Sequence, residues 1–228
     1  PILFTRKMIG FMEQSLDNAL YVVATPIGNL QDISARAIFV LTHCTLILAE
    51  DTRRTGMLLQ SLGISGKKFL SYHDHNELER AQHVIAQLKD DPKPVALVSD
   101  AGTPCIADPG YRITFAARQA GYPIIAIPGA SAMLTLASAS GLPSDRLLFV
   151  GFLPRKDTAA RTEMASWAAT RASIIAYETG PRMITTLKAL NDIYPDARIA
   201  IGRELPKKFE EVLVLPVSDA LRWAGSKT

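Results

Sequence analysis

From Leu20 onward, short apolar and β-branched runs alternate with longer segments of helical period, and this alternation constrains the fold more than any other feature. Strands are expected at Leu20 to Ala24, Leu46 to Leu48, Lys68 to Tyr72, Val95 to Val98 and Ile124 to Ile127. Helices are expected between them at Ser34 to Leu41, Thr52 to Leu62, Glu77 to Leu88 and Tyr111 to Ala120. Strict βα alternation implies a mostly parallel sheet covered on both faces. Asp108-Pro109 reads as a helix cap followed by proline at the first helical position, and Gly121 sits where that helix should stop.

The pattern changes near Gly141-Leu142-Pro143-Ser144, after a small-residue helix from Ser131 to Ser140. A second α/β set follows. Its strands are expected at Leu147 to Phe152, Ser173 to Tyr177, Arg198 to Gly202 and Val212 to Leu215, with helices at Thr158 to Ala168 and Met183 to Ile193. The reading is an N-terminal extension over 1–19, a larger α/β lobe over 20–140 and a smaller mixed α/β lobe over 141–228, with small ligands expected in a cleft between lobes.

Composition narrows the function. The 228 residues are 48% hydrophobic and 21% charged, which is ordinary globular usage and excludes disordered or low-complexity chains. A net charge of +3 is too mild for a polybasic nucleic-acid binder, but it is unevenly spread. Residues 1–150 hold 13 cations and 13 acids, whereas 151–228 hold 12 cations and 9 acids. Two cysteines, Cys44 and Cys105, cannot build a disulfide framework or a four-cysteine zinc site, so a cytoplasmic protein is expected. No run of 18 apolar residues suggests a membrane span.

The loops expected at the carboxyl ends of the strands carry the chemistry. Thr25-Pro26-Ile27-Gly28-Asn29-Leu30 brings main chain close to a ligand but lacks the Gly-x-Gly-x-x-Gly of a dinucleotide cradle. Ala49-Glu50-Asp51-Thr52-Arg53-Arg54 places acids and arginines at the end of an apolar strand. A helix cap accounts for one acid but for neither arginine. Tyr72-His73-Asp74-His75-Asn76-Glu77 reads as a polar substrate-facing loop or a surface loop, and its two histidines lack a third ligand at metal-site spacing. Ser99 to Gly110 is far more specialised than a connection requires, and Pro128-Gly129-Ala130-Ser131-Ala132 opens a helix of small residues that admits a ligand to the backbone. Gly63 to Lys68 lacks the spacing of a phosphate-binding loop, and no Gly-x-Ser-x-Gly elbow is present. Gly151 to Lys156 and Arg203 to Lys208 each end a strand with exposed cations, which plain surface solubility also explains.

In this order the segments resemble the tetrapyrrole-methylase family of S-adenosylmethionine-dependent enzymes, and within it the branch that modifies ribosomal RNA. The residues carrying the match are Thr25 to Leu30, Ala49 to Arg53, His73 to Glu77, Ser99 to Gly110, Gly141 to Arg146, Gly151 to Pro154 and Arg203-Glu204-Leu205. In the wider family the third loop reads Gly-Gly-Asp-Pro. The Ala101-Gly102-Thr103-Pro104 found here agrees with the ribosomal branch.

The resemblance implies a two-lobe homodimeric methyltransferase that acts on a cytidine ribose 2′-hydroxyl in 16S rRNA of the 30S subunit. It implies S-adenosylmethionine held by Pro26, Ile27, Gly28, Asp100, Ala101, Gly102, Thr103, Ile106, Ser131, Ala132, Tyr177 and Glu178. Asp51 is expected as general base, with Glu50 next and Arg53 holding a phosphate or orienting the acid. RNA contacts are expected from His75, Asn76, Arg155, Lys156, Arg203 and Lys207, and no metal is expected. The branch also implies a further strand and a small helical region beyond the second lobe, with no counterpart before Thr228. A methylase acting on carbon of a corrin or porphyrin precursor, and a non-catalytic ribosome-assembly protein, are the alternatives.

Overall fold

A computed structural model describes residues 15–73 and 76–226. Most of the expected N-terminal extension, and His75, lie outside the described residues. The chain divides into two compact units between Ala130 and Ser131.

The first unit is a five-stranded sheet, β1 (Leu20–Val23), β2 (Leu46–Ala49), β3 (Lys68–Ser71), β4 (Val95–Val98) and β5 (Ile124–Ile127), in the order β3-β2-β4-β1-β5. Every pairing is parallel. Helices α1 (Ala35–His43), α2 (Thr52–Ser61), α3 (Glu77–Asp90) and α4 (Tyr111–Gln119) supply the crossovers.

Alternation along each strand sends neighbouring residues to opposite faces. Tyr21, Val23, Ile47, Ala49, Ala96 and Val98 pack with Ala37, Val40 and Leu41 of α1 and Leu59 of α2. Leu20, Leu48, Val95 and Leu97 pack on the other face against Ala81, Val84, Ile85 and Leu88 of α3 and Ile113 and Ala117 of α4. The α3 residues fall at helical spacing, so one stripe is buried and the charged face stays out. Each fully buried leucine contributes about 2 kcal/mol. Edge strand β3 exposes Lys68 and Phe69, and a lysine there discourages further strand pairing.

The expected cap of α4 is corrected. The helix begins at Tyr111 rather than Pro109, with Gly110 at φ +136° in the cap position. Glu77 Oε1, from the start of α3, instead accepts the amides of Gly110 at 2.8 Å and Arg112 at 2.9 Å. A carboxylate at a helix N-terminus also meets the positive end of the dipole. The expected stop at Gly121 is found, in the left-handed conformation at φ +68°.

The second unit holds α5 (Ala132–Ser140), β6 (Leu147–Phe152), α6 (Asp157–Ser166), β7 (Ser173–Tyr177), α7 (Gly180–Ile193), β8 (Arg198–Arg203), β9 (Glu211–Pro216) and α8 (Val217–Gly225). β6 and β7 pair in parallel, whereas β8 and β9 form an antiparallel pair. α5 groups with this unit, ten residues ahead of the division expected from the sequence, because it packs on β8 and β9. Gly202 permits that approach: a Cβ there would sit 3.0 Å from Leu136 Cδ1. Helix α8 was not expected. Its Val217, Ala220 and Ala224 lie on one face and close a core with Leu187 and Ile201. Among the described residues no helix is long and apolar enough to cross a membrane.

Candidate functional site

At the carboxyl edge of the first sheet, three loops are tied together by hydrogen bonds. The amide of Thr25, after β1, donates to Gly102 O at 2.8 Å, and the Gly102 amide returns a bond to Thr25 O at 3.1 Å. The Thr25 hydroxyl donates to Ser99 O at 3.1 Å. Thr103 Oγ1 then donates to Ala130 O at 3.2 Å, which brings in the loop after β5.

Small residues make this closeness possible. Gly102 sits at φ +92°, where a Cβ would lie 3.4 Å from Ile27 Cγ2. A Cβ on Gly129 would lie 2.8 Å from Ala24 Cβ. Between Thr103 and Gly110 the chain also holds Cys105 at φ +71° and Ala107 at φ +59°, a left-handed backbone that ordinary side chains resist and that functional loops often store. The result is a lip of closely spaced main chain around Ile27, Gly28, Ala101 and Gly102, exposed at Gly28 and Ala101.

Beside the lip lies an acidic knot. Asp100 Oδ1 accepts the amide of Asp51 at 3.1 Å, and Asp100 Oδ2 pairs with Arg54 Nη1 at 3.1 Å. The Asp100 amide donates to Glu50 Oε2 at 3.4 Å. Asp51 is the cap of α2: its Oδ1 accepts the amides of Arg53 at 2.8 Å and Arg54 at 3.3 Å. Those two hydrogen bonds hold its carboxyl below the ordinary aspartate value. It is therefore ionised at neutral pH and a weakened base.

The loop after β3 is largely occupied with its own construction. Asn76 Oδ1 accepts the amide of His73 at 3.0 Å, and Asn76 Nδ2 donates to Ser71 O at 3.2 Å. Tyr72 is buried, and its hydroxyl oxygen accepts the Ile113 amide at 3.0 Å. Burial, followed by the charge of Glu77, pushes the Tyr72 hydroxyl well above the ordinary tyrosine value, so it stays protonated.

In the second unit, Ser131 is the cap residue of α5 and Ala132 its first residue. Tyr177 ends β7 with its ring edge-on to Phe149 and Phe152, at centroid distances of 5.0 and 5.4 Å. Glu178 has a side chain only 6% exposed and pairs with Arg182 at 3.2 Å. It also accepts from Thr186 Oγ1 at 2.8 Å and from the Thr179 amide at 2.7 Å, so its carboxylate serves the start of α7. Arg155 and Lys156 are exposed after β6. Arg203 faces Glu211 at 3.6 Å and Lys207 faces Glu204 at 3.3 Å, so neighbouring acids offset both charges.

Of the residues singled out in the sequence, Pro26 to Gly28, Glu50, Asp51 and Asp100 to Thr103 come together at this edge. Ile106 is exposed further along the β4–α4 loop, and Arg53 is exposed on α2. The roles of two groups were missed. Arg54, not Arg53, grips Asp100, and the signal for it was its place one turn beyond the cap residue Asp51. Glu77, which caps α4 from another element, left no signal in the local sequence.

Comparison with known proteins agrees with this architecture. The model of the tetrapyrrole (corrin/porphyrin) methylases matches residues 19–221. The chain is 44% identical over 214 residues to ribosomal RNA small subunit methyltransferase I of Escherichia coli O157:H7, spanning 92% of this chain and 74% of that one. Among solved structures it is similar to the methyltransferase CobJ, with a TM-score of 0.66 at 18% identity over 90% of this chain and 89% of that one. It is also similar to uroporphyrin-III C-methyltransferase from Thermus thermophilus complexed with S-adenyl homocysteine. The TM-score is 0.58 at 15% identity, over 90% of this chain and 91% of that one. At such identities the structural likeness is one of fold, whereas the sequence match covers nearly all of the chain: it belongs to the tetrapyrrole (corrin/porphyrin) methylases.

Proposed function

We propose that this protein transfers a methyl group from S-adenosylmethionine to ribosomal RNA of the small subunit, with a cytidine ribose 2′-hydroxyl in 16S rRNA as the acceptor. The observation that carries the reading is the 44% identity, over 92% of the chain, to a protein named as a small-subunit ribosomal RNA methyltransferase. Ribosomal RNA as substrate puts the enzyme in the cytoplasm with the 30S subunit, where two copies act as a homodimer.

The lip after β1, β4 and β5 offers a nucleoside exposed main chain, at Gly28 and Ala101. Pro26, Ile27, Gly28, Asp100, Ala101, Gly102, Thr103 and Ile106 of the first unit would hold the cofactor. When bound, the cofactor supplies an activated methyl on a sulfonium, open to in-line displacement by oxygen. The protein's task is to hold the hydroxyl in line and take its proton.

A carboxylate of the acidic knot takes that proton, Asp51 first and Glu50 next. Asp51 is partly exposed, open to an incoming ribose, and already ionised at neutral pH. The Asp100–Arg54 pair keeps the loop bearing it in place. The target nucleotide must leave its stack to reach the hydroxyl-binding position. The test is incubation with methyl-labelled cofactor and 30S subunits lacking the modification. Label in 16S rRNA is expected, and unlabelled RNA would overturn the reading.

A further inference from the structure

Resting on the reading of RNA as substrate, we infer that Phe152 is a stacking platform for a base of the RNA, with Arg155 and Lys156 taking the adjoining phosphates.

Phe152 ends β6, and β6 carries one residue more than its partner over this stretch: Phe149 pairs with Ile175, but Phe152 pairs with Tyr177. Gly151, in the left-handed conformation at φ +68°, absorbs the extra residue. A bulge of this kind re-aims a side chain. By simple alternation Phe152 would face away from Phe149. The inserted residue puts both rings on the Tyr177 face, where Tyr177 meets each of them edge-on.

The strand therefore spends a bulge to present a phenyl ring that is still 58% exposed. Tyr177 packs against it at a centroid distance of 5.4 Å. The chain that follows is fixed too, because Arg182 donates to Leu153 O at 3.1 Å and Pro154 O at 2.6 Å. A rigid, exposed ring at the carboxyl ends of parallel strands stands where α/β folds place ligands.

Charge decides what kind of ligand. Arg155 and Lys156 follow the ring and are exposed, while the nearby Asp157 is engaged by Arg161 at 2.9 Å. S-adenosylmethionine carries no phosphate, and its sulfonium and ammonium outweigh its carboxylate, so two exposed cations do not suit its adenine. A nucleotide base flanked by phosphates suits both the ring and the cations. Aromatic stacking of this kind tolerates any base, because every base has a π face.

The test compares Phe152→Leu and Phe152→Trp with the wild type. With 30S subunits as substrate, Phe152→Leu is expected to lower kcat/KM roughly 10- to 100-fold, the range seen when a base loses its aromatic partner. Phe152→Trp should stay within a few fold of wild type, and both variants should bind S-adenosylmethionine with wild-type Kd. The fluorescence of the indole introduced by Phe152→Trp, taken as the difference from wild type, should be quenched by a single-stranded oligocytidylate without any turnover. Unchanged kcat/KM in Phe152→Leu, or a matching loss of cofactor affinity, would overturn the assignment. Wild-type protein that labels no RNA would instead overturn the underlying reading. Quenching without labelling would keep Phe152 as an RNA contact of a non-catalytic protein.

Discussion

The backbone amide of Asp51 points into the carboxylate of Asp100 at 3.1 Å, joining the end of β2 to the end of β4 across the acidic knot. Arg54 holds the other oxygen of Asp100, whose side chain is 22% exposed. Asp100→Ala leaves a part-buried amide and a guanidinium without their acceptor. Stability should fall by about 1–3 kcal/mol, read as a lower urea midpoint at constant m-value. An unchanged midpoint would mean that water replaces the carboxylate without loss.

Asp51 has a pH signature. Its carboxyl lies below the ordinary 3.8 in the folded chain because the amides of Arg53 and Arg54 favour the charged form. A depressed folded pKa stabilises the fold above the unfolded value, and that contribution is lost as pH falls through the folded value. The thermal midpoint of Asp51→Ala should therefore trail wild type at neutral pH, and the gap should narrow below pH 3.8. Asp51→Asn, which can still cap α2, should keep cofactor affinity and lose turnover. Retained turnover would pass the base role to Glu50.

Gly110 fixes the entry to α4. A Cβ there would lie 2.6 Å from Cys105 Sγ and 2.9 Å from Leu97 Cδ2, at φ +136°. Gly110→Ala should cost about 2–4 kcal/mol, combining strained backbone with overpacking. Gly121→Ala, also left-handed but with nothing within 4 Å, should cost only about 1 kcal/mol. Equal losses in chemical denaturation would refute the steric part of the argument.

β4 was legible because the four-residue apolar run Val95 to Val98 is buried on both faces, and α3 because Ala81, Val84, Ile85 and Leu88 repeat at helical spacing. The loops were legible from composition: Ser99 to Gly110 is too rich in glycine, proline and aspartate to be a mere link. What local sequence did not carry is choice of partner. Glu77 caps a helix 33 residues away, and Asn76, expected at the substrate, binds its own loop. α8 was legible but not read: Val217, Ala220 and Ala224 repeat at helical spacing directly after Pro216. The division after Ala130 was invisible, since it depends on α5 meeting β8 and β9.

The exposed cations after β6 should announce themselves through salt. Each phosphate neutralised on single-stranded RNA adds about 0.7 to the slope of log K against log salt. Replacing both Arg155 and Lys156 by alanine should flatten that slope by about 1.4 if each neutralises one phosphate. Lys207→Ala should change it less, because Glu204 already offsets that charge at 3.3 Å. Equal slopes for all three proteins would place the RNA elsewhere.

Methylation of a ribose oxygen is read out by alkaline cleavage. Strand scission in alkali requires a free 2′-hydroxyl, so a methylated ribose leaves one linkage intact. Treating 16S rRNA from modification-free 30S subunits with wild-type protein and labelled S-adenosylmethionine should create one alkali-resistant linkage, on the 3′ side of a cytidine and carrying the label. Labelled RNA with every linkage still cleaved, or label confined to a tetrapyrrole offered in the same reaction, would rule out a ribose oxygen as the acceptor.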